Sequence, residues 1–149
     1  PLLKDVLALL TYQAEQVSVK TVLDITGNPR AIANESDLGI VFVNLAQNAI
    51  HAMPKGGTLT VVAGARNGNV EVTFTDTGVG IAPEDRARIF WPCWSKRADG
   101  STGTGLGLAI CHSTIERLKG DLSVSSVVGE GSTFRITLPD PDTSGGPQS

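Results

Sequence analysis

The chain has 149 residues, of which 40% are hydrophobic and 18% charged, with a formal net charge of -3. That is the composition of one globular domain able to bury a single core, and it excludes a disordered chain. The slight negative balance excludes a global attraction to nucleic acid or anionic lipid, so no nucleic-acid partner is expected.

A small polyanion would need a local set of donors instead. No apolar run approaches the ~20 residues needed to cross a bilayer, and no signal peptide is visible. A start at Pro1 rather than Met reads as a fragment of a longer protein, which leaves any membrane anchor upstream open. Cys93 and Cys111 match no metal-ligand spacing and read as free thiols, with a disulfide between them the alternative.

Leu2 to Gln16 carries apolar residues at helical spacing, and Val17 to Ile25 alternates as a strand. Gly27-Asn28-Pro29 is a turn, and Asn34, with Asp37 three residues on, caps a helix that runs to about Met53. Pro54 and Gly56-Gly57 end it. Thr58 to Arg66 and Val70 to Asp76 are strands joined by the hairpin signal Asn67-Gly68-Asn69. A short helix starts near Pro83. Residues 91–105 read as a loop, and Leu106 to Leu118 as a helix stopped by Gly120. Leu122 to Val128 and Thr133 to Leu138 are strands joined by Gly129-Glu130-Gly131. The tail, residues 139–149, is rich in Pro, Gly and Ser and is expected to be disordered. This order predicts an α+β domain over residues 1–138. Its fold class is a two-layer α/β sandwich, a mixed sheet of about five strands with three helices on one face.

Four elements carry chemistry. In the helix before Met53, Asn44, Asn48 and His51 share one stripe, and Leu38, Val41, Phe42, Leu45 and Ala49 cover the other side. A solvated polar face is the plain alternative, but two asparagines at i, i+4 cost helix stability, which favours a function. In VEVTFTDTGVG, Val70, Val72, Phe74 and Asp76 alternate onto one face, so a carboxylate closes a row that points into the core. It needs donors there, and the exocyclic amine of a purine is one. Gly78 and Gly80 follow, permitting a tight turn and close approach of a flat ligand; an Asp-initiated turn is the alternative. In GTGLGLAI, Gly103, Gly105 and Gly107 run into a helix start, where free N–H groups make an anion site. The spacing is neither a dinucleotide fingerprint nor a P-loop. Ser132 ends the row Ser132, Phe134, Ile136, Leu138 as Asp76 ends its own, and two polar row ends can meet at one ligand edge.

These elements, in this order and over about residues 3–138, resemble the ATP-binding catalytic domain of sensor histidine kinases, whose Bergerat fold is shared with DNA gyrase, mismatch-repair ATPases and heat-shock chaperones. NLAQNA at 44–49 resembles the N box, DTGVG at 76–80 the first glycine box, and GTGLGL at 103–108 the second; the run from Asn44 is most similar to kinases of the nitrogen-regulation sensor type. The resemblance implies that Asp76 accepts the adenine amino group, that Ser132 holds a water beside it, and that Gly78, Gly80 and Ile81 line the base. It further implies that Asn48 coordinates Mg²⁺ and His51 contacts phosphate. Gly103, Thr104, Gly105, Leu106, Gly107 and Leu108 would close over the triphosphate as a lid, with Lys96 and Arg97 reaching phosphate. Asn44 stands where relatives carry a glutamate base, which disfavours hydrolysis and fits transfer to a partner's histidine. Ile89-Phe90-x-Pro92 resembles the F box but continues as Trp91-Pro92-Cys93-Trp94, a departure from the family's pattern.

Neither His51 nor His112 lies in a segment resembling a phosphoacceptor helix, so the acceptor is expected on a separate helical domain of the same full-length chain. ATP and Mg²⁺ are the implied ligands, with a response regulator as the indirect partner. The isolated domain is expected to be monomeric and cytoplasmic, the full-length protein a homodimer. Two other readings stay open: an ATP hydrolase that dimerises on nucleotide, and a silent binding module displaying Trp91 and Trp94.

Overall fold

In a computed structural model of the chain, the structure describes residues 8, 10, 11, 14–26, 35–53, 55–66, 69–86 and 107–139. Strands β1 (Val19–Ile25), β2 (Gly57–Arg66), β3 (Asn69–Asp76), β4 (Asp121–Val127) and β5 (Gly131–Pro139) form one sheet in the order β1-β2-β3-β5-β4. β1 and β2 run parallel, and every other pairing is antiparallel. Among the described residues the bounded helices are α1 (Glu35–His51), α2 (Pro83–Arg86) and α3 (Gly107–Arg117), and residues 8, 10, 11 and 14–16 are helical too. The mixed sheet of five strands is the one the sequence predicts. The cap at Asn34, Pro54, the turns at 27–29 and 67–68, the loop at 91–105 and the tail beyond Pro139 lie outside the described residues.

Several strand boundaries shift by one or two residues, and two differences have visible local reasons. The first strand begins at Val19, not Val17. The Val17 and Ser18 N–H groups bond back to the Ala14 and Glu15 carbonyls, each at 3.1 Å, and Ser18 takes φ 61°. Those two residues therefore close a helical turn. At the end of α3 the left-handed residue is Lys119, with φ 66°, rather than Gly120. Gly120 is needed for another reason: a Cβ there would overlap the Thr137 carbonyl of β5.

Side chains alternate along each strand, so the register stacks lateral rows on the face turned to the helices. One row is Ala63, Val72, Ile136 and Leu122; the next is Val61, Phe74, Phe134 and Val124. α1 lays Val41, Phe42, Leu45, Ala49 and Ile50 onto these rows, all buried, and Phe42 meets Phe74 with ring centroids 5.9 Å apart. From α3, Cys111 and Ile115 are fully buried, and the Cys111 thiol points at the Val41 carbonyl of α1, 3.8 Å away. Cys111 is a free thiol, and burial pushes it up to about 12, so it is chemically quiet. Leu10 and Ala14 join the same core. The opposite face carries Thr73, Thr75, Thr133 and Arg135, half-buried or exposed, as a two-layer domain requires. No described helix is long and apolar enough to cross a membrane.

Candidate functional site

The next row of the same face changes character. Register places Leu59, Asp76, Ser132 and Ser126 side by side across β2, β3, β5 and β4. Only Leu59 continues the hydrocarbon. Asp76 and Ser132 are buried, with relative exposures of 4% and 6%, so the two row ends singled out in the sequence do meet.

Asp76 is held by its neighbours' backbone. Gly78 donates its N–H to Asp76 Oδ1 at 2.9 Å, and Ser132 donates its N–H to the same oxygen at 3.2 Å. Burial raises the Asp76 carboxyl above its ordinary range, while the two N–H bonds pull it back down. Both bonds fall on Oδ1.

The glycine segment after Asp76 is clamped from both sides by protein. Val79 donates its N–H to the Ala52 carbonyl at the end of α1, 3.1 Å, and accepts from Gly129 N–H at 2.8 Å. A Cβ at Gly78 would overlap that Ala52 carbonyl. Gly80 has φ 77°, and a Cβ there would overlap the Val127 carbonyl. In both cases the missing side chain makes room for the protein's own backbone in the Cβ direction. Half-buried Ile81 packs against the core and donates its N–H to Ser126 Oγ at 2.7 Å.

The polar stripe on α1 forms as its spacing predicts. Asn44, Asn48 and His51 are half-buried, and the apolar residues between them are buried. Asn44 donates its side-chain amide to the Ile40 carbonyl one turn back, 2.9 Å. The Asn48 carbonyl accepts the Ala52 N–H at 3.0 Å, so Asn48 sits one turn ahead of the residue that grips the first glycine segment. His112 is part-exposed on α3, 3.4 Å from Glu116. Gly107 opens α3, and Leu108 packs against the core. Lys96, Arg97, Gly103, Thr104, Gly105 and Leu106 lie outside the described residues.

Two contributors escape the sequence reading. Thr77 accepts the Thr58 N–H at 3.0 Å and lies 3.6 Å from the Met53 sulfur, tying the glycine segment to β2 and to the end of α1. Ser126 is the other. It ends the row Leu122, Val124, Ser126 on β4 as Asp76 and Ser132 end theirs, so the same row-end signal was available for it.

The sequence profile of the family described as "Histidine kinase-, DNA gyrase B-, and HSP90-like ATPase" matches residues 33–142. The chain is 34% identical over 129 residues to the sensor-like histidine kinase SenX3 of Mycobacterium tuberculosis, covering 85% of this chain and 32% of that protein. It superposes with a TM-score of 0.83 and 25% identity on the catalytic domain of the histidine kinase ThkA, covering 93% of this chain and 92% of that one. Full-length ShkA in complex with AMPPNP gives a TM-score of 0.82 at 30% identity, with 93% of this chain and 29% of that chain covered. The chain thus spans about a third or less of the length of curated relatives it matches.

Proposed function

Because the chain belongs to the histidine kinase-, DNA gyrase B- and HSP90-like ATPase family, on its histidine kinase branch, we propose that it binds ATP with Mg²⁺ and passes the γ-phosphoryl group to a histidine on a separate helical domain of the same protein. The observation that carries this reading is the buried Asp76 carboxylate beside Ser132. A carboxylate kept at 4% exposure, with Oδ1 taken by two backbone donors, keeps Oδ2 to accept from a ligand. The adenine amino group is a suitable donor, and Ser132 stands next to it. The catalytic unit on this reading is residues 1–138.

From Asp76 the phosphates extend toward α1 and the start of α3. Asn48 offers a neutral carboxamide oxygen, suited to Mg²⁺ as a hard cation. Among the described residues no group of three or more His, Cys, Asp or Glu converges on a metal position. That suits an ion carried mainly by phosphate oxygens and bound waters, with one or two protein ligands. Bound there, Mg²⁺ would supply charge neutralisation of the triphosphate. His51 contacts phosphate from the next turn of α1. To the triphosphate we assign Gly103, Thr104, Gly105, Leu106, Gly107 and Leu108, with Lys96 and Arg97 as the cations for it. In the reaction a histidine nitrogen bonds to the γ-phosphorus as the bond to the bridging oxygen breaks, and ADP leaves. The domain's work is positioning.

Asn44 favours transfer over hydrolysis. Its carboxamide takes no proton from water, and one of its two N–H donors is given to the Ile40 carbonyl. Calorimetric titration tests the nucleotide site. Wild-type protein is expected to bind ATP more tightly with Mg²⁺ than without it. Asn48→Ala is expected to lose that Mg²⁺ enhancement while adenosine binds as before. Unchanged ATP affinity in Mg²⁺ would remove Asn48 from the metal.

A further inference from the structure

Ser126 has no place in the ATP-binding assignment, yet it saturates its hydrogen bonds next to Ser132, one strand beyond the Asp76–Ser132 pair. Its oxygen accepts the Ile81 N–H at 2.7 Å and donates to the Gly131 carbonyl at 2.9 Å. It also lies 2.8 Å from Ser132 Oγ. A serine hydroxyl owns one proton and two lone pairs. The Ser126 proton is committed to Gly131, so the contact between the two serines uses the proton of Ser132. Ser126 is then complete, with one bond donated and two accepted.

The consequence falls on Ser132. With its proton turned to Ser126, Ser132 Oγ keeps only lone pairs for a ligand. Ionised Asp76 is likewise an acceptor alone. The edge therefore shows acceptors and no side-chain donor. In direct contact it suits a purine bearing an amino group at position 6 and opposes one bearing a carbonyl there.

We propose that Ser126 is a positioning residue that fixes the Ser132 hydroxyl as an acceptor and so sets the preference for a 6-aminopurine over a 6-oxopurine nucleotide. The inference rests on the reading of the Asp76–Ser132 edge as the base site. Removing the Ser126 hydroxyl frees the Ser132 proton to turn toward the ligand. A 6-oxo group then gains a donor, and the 6-amino group loses an acceptor.

The test compares the affinities of ATP and ITP, which share the triphosphate and differ at position 6 and in the N1 proton that accompanies the 6-oxo group, so the readout is the change in their ratio between variants. Wild type is expected to prefer ATP. Ser126→Ala is expected to shrink the ATP-to-ITP preference about tenfold, the size of one redirected hydrogen bond. Ser126→Thr, which restores the hydroxyl, is expected to restore the preference. In a Ser132→Ala background, Ser126→Ala is expected to change the preference no further, because the effect passes through Ser132. Should the alanine variant fail to fold, Ser126→Cys keeps the volume with a poor hydrogen-bonding group and is expected to narrow the preference in the same direction.

A merely structural role would weaken both nucleotides alike, and an unchanged ratio in the folded Ser126 variants would overturn the proposal. So would additive losses in the double variant. Failure of wild type to bind ATP, or to prefer it, would instead defeat the base-site reading beneath.

Discussion

Asp76 places stability and function in opposition. Burial raises its carboxyl above the value of 3.8 it has when exposed, so the folded protein holds this proton more tightly than the unfolded chain does. Between the unfolded and folded values the native state binds more protons, and stability falls as pH rises through that window. Once ionised, the carboxylate is thus a cost to the empty protein. Asp76→Asn keeps an oxygen for the Gly78 and Ser132 N–H groups but puts an amide donor where the ligand's amine must lie. The variant is expected to melt no lower than wild type at pH 7. It is also expected to lose about 2–3 kcal/mol of ATP binding, roughly 30- to 150-fold in affinity. Calorimetry on the folded variant giving near-native affinity would end the assignment of Asp76 to the base. Wild-type ATP affinity is expected to weaken as pH falls toward the raised value of Asp76 and its charge is lost.

Among the elements, the join between α1 and the first glycine segment holds the site together. The Ala52 carbonyl takes the Val79 N–H and fills the space beside Gly78. Gly78→Ala would force a methyl group into a backbone carbonyl and is expected to cost about 1–3 kcal/mol of stability. A thermal melt shows this as a midpoint several degrees lower; an unshifted melt would mean that α1 and the glycine segment are not locked. This join was not legible in the sequence. The residues around it were: the stripe Asn44, Asn48, His51 and the rows ending at Asp76 and Ser132 follow from helix and strand periodicity alone. Periodicity says which residues share a face of one element. It says nothing of which carbonyl from another element fills a glycine's empty side, so Gly78 and Gly80 read as room for a ligand. Ser126 shows the same row-end signal, but with its strand expected to run on to Val128 the row appeared to continue past it, and the signal went unused. Register, a property of pairs of strands, brought Asp76, Ser132 and Ser126 into one line. The sheet itself was readable because its turn signals lie between clean alternations. Val17 and Ser18 misled because apolar alternation does not reveal a helical turn that closes on Ala14 and Glu15.

For the molecule as a whole, the central claim is a division of labour: this domain holds ATP, and another supplies the histidine. Of its own two histidines, His51 lies on the α1 stripe assigned to phosphate, and His112 lies along α3 beside Glu116. Neither is presented as a nucleophile free to attack in line. The most direct measurement incubates the chain with γ-labelled ATP and Mg²⁺, alone and with the phosphoacceptor domain of the same full-length protein. The expected result is no stable label on this chain alone. With the acceptor present, an acid-labile, base-stable phosphohistidine is expected on that domain, strongly reduced with Asp76→Asn at low ATP concentration. Stable label on this chain mapped to His51 or His112, or rapid release of free phosphate with no label on the acceptor, would contradict it.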